Sequence, residues 1–259
     1  MVIMKMISFC NKKGGVGKTT LCKNVAYKLA LDGAKVLLID LDPQATLSVQ
    51  FTNKNVNIES NLINFIPASK LVKINKIIQE TKYKEIDIIV GGEALTNSNE
   101  IIKSYFKENY YQVANFIYQS NQETFDSYDY VLIDYPPTIN DLSLSFLLIS
   151  DLILIPINSG SGSYKGIIDL KNTLELISKK EKLELSNIKI VFNNVKTDKY
   201  IKFIYNLILK QGLKNNFSNI VLQTSDVFFQ TENDLSSIWT NQHYWRQKKA
   251  YEELIKEIK

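Results

Sequence analysis

Short apolar runs recur along the chain at Met4 to Phe9, Val36 to Ile39, Ile86 to Val90, Tyr130 to Ile133, Leu152 to Ile155 and Ile188 to Phe192. A weaker one follows at Ile220 to Leu222. These runs are continuous rather than alternating, which predicts parallel strands covered on both faces. Between the first two, Leu21, Val25 and Leu29 fall at helical spacing, predicting a helix over Thr19 to Asp32 with Gly33 as its C-cap. Further helices are predicted at Ile101 to Tyr118, Tyr164 to Ser178, Lys199 to Gln211 and Lys248 to Ile258. Strands alternating with helices predict an α/β fold: a doubly wound, mostly parallel sheet with helices on both faces. Ligands of such folds sit beyond the carboxyl ends of the strands. With no internal repeat or Pro/Gly-rich linker, one domain is expected over residues 1–259. The stretch from Thr52 to Lys84 carries no recognisable motif.

Composition narrows the chemistry. At 259 residues and 45% hydrophobic content the chain can fill a large core, so disorder is not expected. No stretch is long and apolar enough to cross a bilayer, and the residues before the first glycines are too short for a signal peptide. A cytoplasmic protein is expected. Cys10 and Cys22 lack the paired spacing of a zinc site and read as small reduced core residues. Chemistry that needs a histidine cluster is excluded, because the one histidine is His243. The net charge of +4 permits contact with nucleic acid without demanding it. Because Arg246 is the one arginine, a phosphate-binding face must be built from lysine point charges.

The first strand runs into Lys12-Lys13-Gly14-Gly15-Val16-Gly17-Lys18-Thr19-Thr20. Glycines let backbone N–H groups converge on an anion, and the helix that follows adds its dipole. Residues Gly14 to Thr20 are the candidate phosphate cradle. Lys18 is placed to reach the β- and γ-phosphates, and the Thr19 hydroxyl to ligate Mg²⁺. The general G-x-x-x-x-G-K-[ST] pattern fails at its first glycine, where Lys12 stands, and Lys13 gives the loop a second cation.

Two further strands end in acids. Val36 to Ile39 leads into Asp40-Leu41-Asp42-Pro43-Gln44, where Pro43 biases Asp42 toward extended backbone and sets Asp40 and Asp42 on one side. Tyr130 to Ile133 leads into Asp134-Tyr135-Pro136-Pro137. Together the loop K-G-G-x-G-K-[ST], the D-x-D-P-Q turn and the D-x-P-P turn resemble the deviant Walker A ATPases of the ParA/MinD family, over nearly the whole chain. That resemblance implies a P-loop NTPase fold with ATP and Mg²⁺ as ligands. It makes Lys13 the lysine that crosses a dimer interface and Lys18 the one acting within its own subunit. It also implies that Asp42 orients the attacking water, that Asp40 supports the magnesium shell and that Asp134 holds magnesium through water. Asn193, at the end of Ile190 to Lys196, becomes a base contact. The acid of a guanine-reading N-K-x-D motif is replaced there by Lys196, which disfavours GTP.

Among family branches the resemblance favours a short ParA-type protein for segregation of plasmid or chromosomal DNA. Such a protein is nucleoid-associated, dimeric with ATP, bound to DNA without sequence preference and released by a ParB-like adaptor. Lys189, Lys199, Lys202, Lys210 and Lys214 form the candidate DNA face, with Lys196 nearby and only Asp198 opposing them. No N-terminal DNA-reading extension is expected. The alternative is a MinD-like, membrane-cycling regulator of cell division. The last helix has a narrow apolar stripe and a polar face of both signs, which predicts packing on the body rather than on lipid. Iron-cluster relatives need cysteines that Cys10 and Cys22 do not supply. The loop after Leu152 to Ile155 carries Ser159 to Tyr164 where the family usually has an acidic or aromatic residue.

Overall fold

The computed structural model describes residues 3–52, 62–66, 73–158, 160, 162–184, 186–196, 199–240 and 242–259, without the side chains of 64, 65, 162–164, 199 and 200. Among the described residues eight strands form one sheet: β1 (Lys5–Phe9), β2 (Val36–Asp40), β3 (Gln79–Glu80), β4 (Ile86–Ile89), β5 (Tyr130–Asp134), β6 (Leu152–Ile157), β7 (Asn187–Val195) and β8 (Phe217–Gln223). Their order is β3-β4-β2-β5-β1-β6-β7-β8, and every pairing is parallel except β3 with β4. The seven apolar runs are therefore the seven parallel strands, and the antiparallel edge strand β3 falls in the stretch without a motif.

The helices are α1 (Lys18–Leu31), α2 (Thr46–Phe51), α3 (Leu62–Phe65), α4 (Ser98–Phe106), α5 (Val113–Ser120), α6 (Gln122–Phe125), α7 (Asp141–Ile149), α8 (Gly162–Glu181), α9 (Lys199–Leu209), α10 (Asp226–Asn233) and α11 (Trp245–Ile258). Alternate strand residues feed two cores. Met6, Leu37, Val131 and Ile153 pack with Ile102, Ala114, Leu147, Leu170 and Ile204 from α4, α5, α7, α8 and α9. Ile7, Leu38, Leu132 and Leu154 pack with Leu21, Leu47, Val227 and Leu254 from α1, α2, α10 and α11. Helix α1 ends as expected, with Gly33 at φ +89° and the N–H groups of Gly33 and Ala34 donating back to Ala30 and Leu29.

One helical expectation needs correction. The single helix over Ile101 to Tyr118 is broken: Lys107 adopts a left-handed φ of +51°, a 3₁₀ segment runs over Lys107–Gln112, and α5 restarts at Val113. The break lets Val113, Ala114 and Ile117 turn inward. Helix α7 adds to the predicted set. It is apolar nearly all round, with Leu142, Leu144, Phe146, Leu147 and Leu148 all buried, so it has no amphipathic period to read. Its start is fixed by Asn140, whose side chain accepts from the Ser143 N–H at 2.8 Å.

The tail helix lies on the body. Tyr251, Leu254, Ile255 and Ile258 of α11 are buried. Lifting off the three aliphatic side chains alone would forfeit about 6 kcal/mol of transfer free energy, at roughly 2 kcal/mol each. Among the described residues no helix is long and apolar enough to cross a membrane.

Candidate nucleotide site

Because the sheet is parallel, the carboxyl ends of β1, β2, β4, β5, β6 and β7 open on the same edge. Strand β5 sits between β2 and β1, and its register sets Asp134 level with Asp40 on one side and Phe9 on the other. The loop after β1 wraps over this row. Gly15 and Gly17 hold left-handed φ values of +71° and +85°, and Gly17 opens α1 as its N-cap residue. The geometry is a backbone nest at the N-terminus of a fourteen-residue helix. Lys18 is buried, and its ammonium donates to the Lys13 carbonyl at 3.4 Å, curled over the inside of the loop.

Beneath the loop the Thr19 hydroxyl donates to Asp134 Oδ2 at 2.6 Å. The other oxygen, Asp134 Oδ1, is buried and has no hydrogen-bond partner. A buried carboxylate oxygen left without a donor, beside a hydroxyl, fits the water shell of a divalent cation. Asp40 is equally buried, but its oxygens are engaged. Oδ1 accepts from the Asp42 N–H at 3.0 Å, and Oδ2 accepts from the Ser48 N–H at 2.9 Å and its hydroxyl at 2.7 Å. Burial pushes the Asp40 carboxyl up to about 6, the Ser48 and Asp42 donors pulling it partly back. Burial, then repulsion from Asp40, raises Asp134 well above the usual carboxylate range despite Thr19 and Lys18.

Asp42 stands partly exposed at the mouth of the site, where its carboxylate accepts from the Gln44 N–H at 2.9 Å and its carbonyl from the Ala45 N–H at 2.9 Å. Asp40 and Asp42 therefore divide the work: Asp40 braces the turn and Asp42 faces outward. The brace extends to β4, since the Gly91 N–H donates to the Ser48 hydroxyl at 2.9 Å. A Cβ at Gly91 would lie 2.5 Å from the Asp42 carbonyl, so the close approach demands glycine. Motif reading does not single out Ser48 or Gly91; the Val90-Gly91-Gly92 break after an apolar run is the available signal.

A cleft of about 370 Å³ opens beside the loop, lined by Gly15, Gly17, Thr20, Asn193, Asn194, Thr224, Ser225, Asp226, Phe228, Phe229, Glu232 and Tyr251. Asn193 is buried, and its amide donates to the Val16 carbonyl at 2.8 Å. A Cβ at Gly17 would overlap that amide, which ties the last glycine of the loop to the wall of the cleft. The Thr20 hydroxyl donates to Glu232 Oε1 at 2.5 Å. The α10 residues are the part of the wall that sequence motifs do not reveal.

Lys13 is oriented across the exit of β6. Its ammonium donates to Asn158 Oδ1 at 3.0 Å, and the same oxygen accepts from the Gly160 N–H at 3.1 Å. The Lys13 N–H donates to Asn11 Oδ1 at 2.9 Å, while Asn11 donates to the Pro156 carbonyl at 2.7 Å. Cys10 and Cys22 are buried free thiols, burial pushing Cys10 up to about 12, so neither is a ready nucleophile.

The candidate DNA lysines separate. Lys202, Lys210 and Lys214 are exposed, and Lys202 and Lys214 flank a groove with Tyr205, Asn215 and Phe217 between α9 and the edge strand β8. Lys189 is instead drawn to α11, donating to Glu257 Oε2 at 3.1 Å and to the Glu257 carbonyl at 3.0 Å. The Lys199 side chain and Asp198 lie outside the described residues.

Residues 4–190 match the AAA_31 family, described as an AAA domain. The chain is 30% identical to the sporulation initiation inhibitor protein Soj of Bacillus subtilis over 176 residues, 68% of this chain and 66% of Soj. It is 32% identical to a virulence-plasmid ParA family protein of Chlamydia psittaci over 171 residues, 65% of this chain and 62% of that one. It spans 57% to 66% of the length of such curated relatives. In fold it is similar to apo McdA of Cyanothece, with a TM-score of 0.84 at 21% identity over 98% of both chains, and to a single-residue variant of McdA in complex with ATP, with a TM-score of 0.80. With its glycine loop, two acid-ended strands and family match, the chain belongs to the ParA-type partition ATPases of the ParA/MinD family.

Proposed function

We propose that the chain hydrolyses ATP with Mg²⁺ and uses the cycle to segregate DNA. The observation that carries the ATPase reading is the orphaned Asp134 oxygen beside the Thr19 hydroxyl, under a loop holding Lys18. Bound Mg²⁺ would supply charge neutralisation at the phosphates, held by Thr19 directly and by Asp134 through water, with Asp40 supporting that shell. Gly14 to Thr20 cradle the phosphates by their N–H groups, Lys18 adds a charge in its own subunit, and Asp42 orients a water for attack. Asn193 and the α10 residues enclose the base.

On this reading ATP closes two subunits into a homodimer, Lys13 of each crossing to the other's phosphates. The dimer grips DNA without sequence preference through Lys202, Lys210 and Lys214, and a ParB-like adaptor triggers hydrolysis and release. Support for the DNA role comes from the similarity to the chromosome partitioning protein ParA of Myxococcus xanthus and from the exposure of these lysines. The burial of the apolar stripe of α11 speaks against the membrane-cycling alternative. On the same reading residues 1–259 act as one ATPase domain, working in the cytoplasm on the nucleoid.

The test is retention on DNA as a function of salt, with ATP and with ADP, for the wild type and Lys18→Ala. Retention is expected with ATP, falling steeply with salt, and is expected to vanish in Lys18→Ala. Retention that ignores the nucleotide, or that survives Lys18→Ala, refutes the mechanism. Liposome co-sedimentation with ATP in place of DNA retention would establish the membrane alternative.

A further inference from the structure

Lys23 is a lysine with 0% exposure in the middle of α1, and the phosphate chemistry does not use it. Its ammonium donates to Gln50 Oε1 on α2 at 3.0 Å and to the Thr231 carbonyl on α10 at 3.3 Å. Among the described ion pairs it has no carboxylate partner. Burial holds it down to about 8, Glu232 working in the opposite direction. A buried ammonium with neutral acceptors costs stability that a methionine of similar length would not. Packing alone therefore gives no reason for a lysine here.

What the ammonium does is join two elements that border the site from opposite sides. On the α2 side, Ser48 holds Asp40 and the turn that presents Asp42, and Gln50 lies two residues further along the same short helix. On the α10 side, Thr231 is followed by Glu232, which accepts from Thr20 and lines the base cleft. Gln50 spans the same gap, donating to the Glu232 carbonyl at 3.2 Å. Two polar links thus join the cleft wall at Thr231 and Glu232 to the helix that braces the acidic turn, one by way of Lys23 and one from Gln50 directly, and both end on Gln50.

We propose that Lys23 is a positioning residue for hydrolysis: it couples occupancy of the base cleft by adenine to the placement of Asp42 through α2. The inference rests on reading the cleft as the ATP site. A rigid link between two packed elements transmits a shift of one to the other because their packing admits few intermediate arrangements.

The experiment compares steady-state hydrolysis of Mg-ATP and of base-free inorganic tripolyphosphate by the wild type, Lys23→Met, Gln50→Leu and the double variant. Thermal melting and calorimetric ATP titration are run on each. Wild type is expected to turn over ATP at least about tenfold faster than tripolyphosphate. Lys23→Met should lower the ATP kcat by about tenfold, a coupling of the size networks of this kind carry, with KM within about twofold and tripolyphosphate turnover unchanged. Its melting temperature should equal or exceed that of the wild type. Gln50→Leu, which also removes the bond to Glu232, should show a selective loss at least as large, and the double variant no loss beyond that of Gln50→Leu, because both links end on Gln50. An ATP rate unchanged in Lys23→Met, or equal proportional losses on both substrates, overturns the coupling. Should Lys23→Met fail to fold, Gln50→Leu decides by the same criterion. A wild type that binds no ATP in the titration refutes the ATP site itself, and the coupling with it.

Discussion

Replacing Asp134 by asparagine should make the isolated protein more stable while removing its response to nucleotide. Asp134 and Asp40 are level on neighbouring strands and fully buried. Adjacent strands lie about 4.8 Å apart, and two like charges at that distance repel by about 3 kcal/mol at an effective dielectric of 20. The isosteric amide removes that repulsion and keeps an oxygen for the Thr19 hydroxyl. It leaves an unpartnered amide where Oδ1 now has no donor, at a cost of roughly 1–2 kcal/mol. The net gain is about 1–2 kcal/mol, or roughly 3–6 °C in Tm for a chain of this size.

The pH dependence fixes the sign independently. Both carboxyls are raised in the folded state, Asp40 to about 6, so the folded chain binds more protons than the unfolded chain from about pH 4 upward. Stability from Asp40 is therefore fully present below about pH 4 and lost as pH rises through about 6, and that from Asp134 is lost at higher pH still. The advantage of Asp134→Asn should be clear at pH 7 and nearly absent at pH 4.5. In a thermal melt with Mg-ATP the wild type should shift upward and the variant should not. A variant that melts below the wild type at pH 7 without ligand, or that keeps the nucleotide shift, refutes the assignment.

Asp42→Ala should lower ATP turnover by at least about 100-fold while the dissociation constant for ATP, measured by calorimetry, changes by no more than about twofold. Gly160→Ala places a Cβ over the Lys13 ammonium and should free it from Asn158. With about 1 kcal/mol per released hydrogen bond, the ATP-dependent dimer should tighten by roughly fivefold or more in sedimentation velocity. Unchanged or weaker association would show that the contact does not restrain Lys13. Lys202→Ala and Lys214→Ala should each reduce the slope of log affinity for DNA against log salt by about 1, whereas Lys189→Ala, already paired with Glu257, should leave it unchanged.

The features legible in the sequence are those whose physics is local. Parallel strands announce themselves as unbroken apolar runs, and the glycine loop and the two acids sit at strand ends where the chain has to turn. The bracing of the acidic turn through Asp40 is not legible, because it depends on Ser48 and Gly91 arriving from two other segments. The cleft wall on α10 escapes for the same reason: Thr231 and Glu232 lie more than 200 residues from their partners Lys23 and Thr20. Lys189 illustrates the converse error. Its place in a lysine-rich stretch says nothing of Glu257, which comes from the far end of the chain to claim it.

The charges at the carboxyl edge argue for a second subunit on physical grounds. Within one chain the phosphate loop offers Lys18, the backbone N–H groups and the positive end of α1, a partial charge of about +0.5. Against these stand Asp40, Asp42 and Asp134. A magnesium ion can balance the carboxylates, but then little cationic charge is left for a triphosphate, and least for the charge that develops on its outer phosphate during transfer. Lys13 could supply the deficit, yet its ammonium is turned away to Asn158 at the exit of β6. Its backbone is pinned by Asn11, so the side chain swings about a fixed base. On the proposed function, a lysine held at the rim by Asn158 reaches a neighbour's phosphates once that contact is released. On that argument the hydrolytic site is complete only when two copies face each other, and Lys13→Ala should abolish association while leaving ATP bound to the monomer.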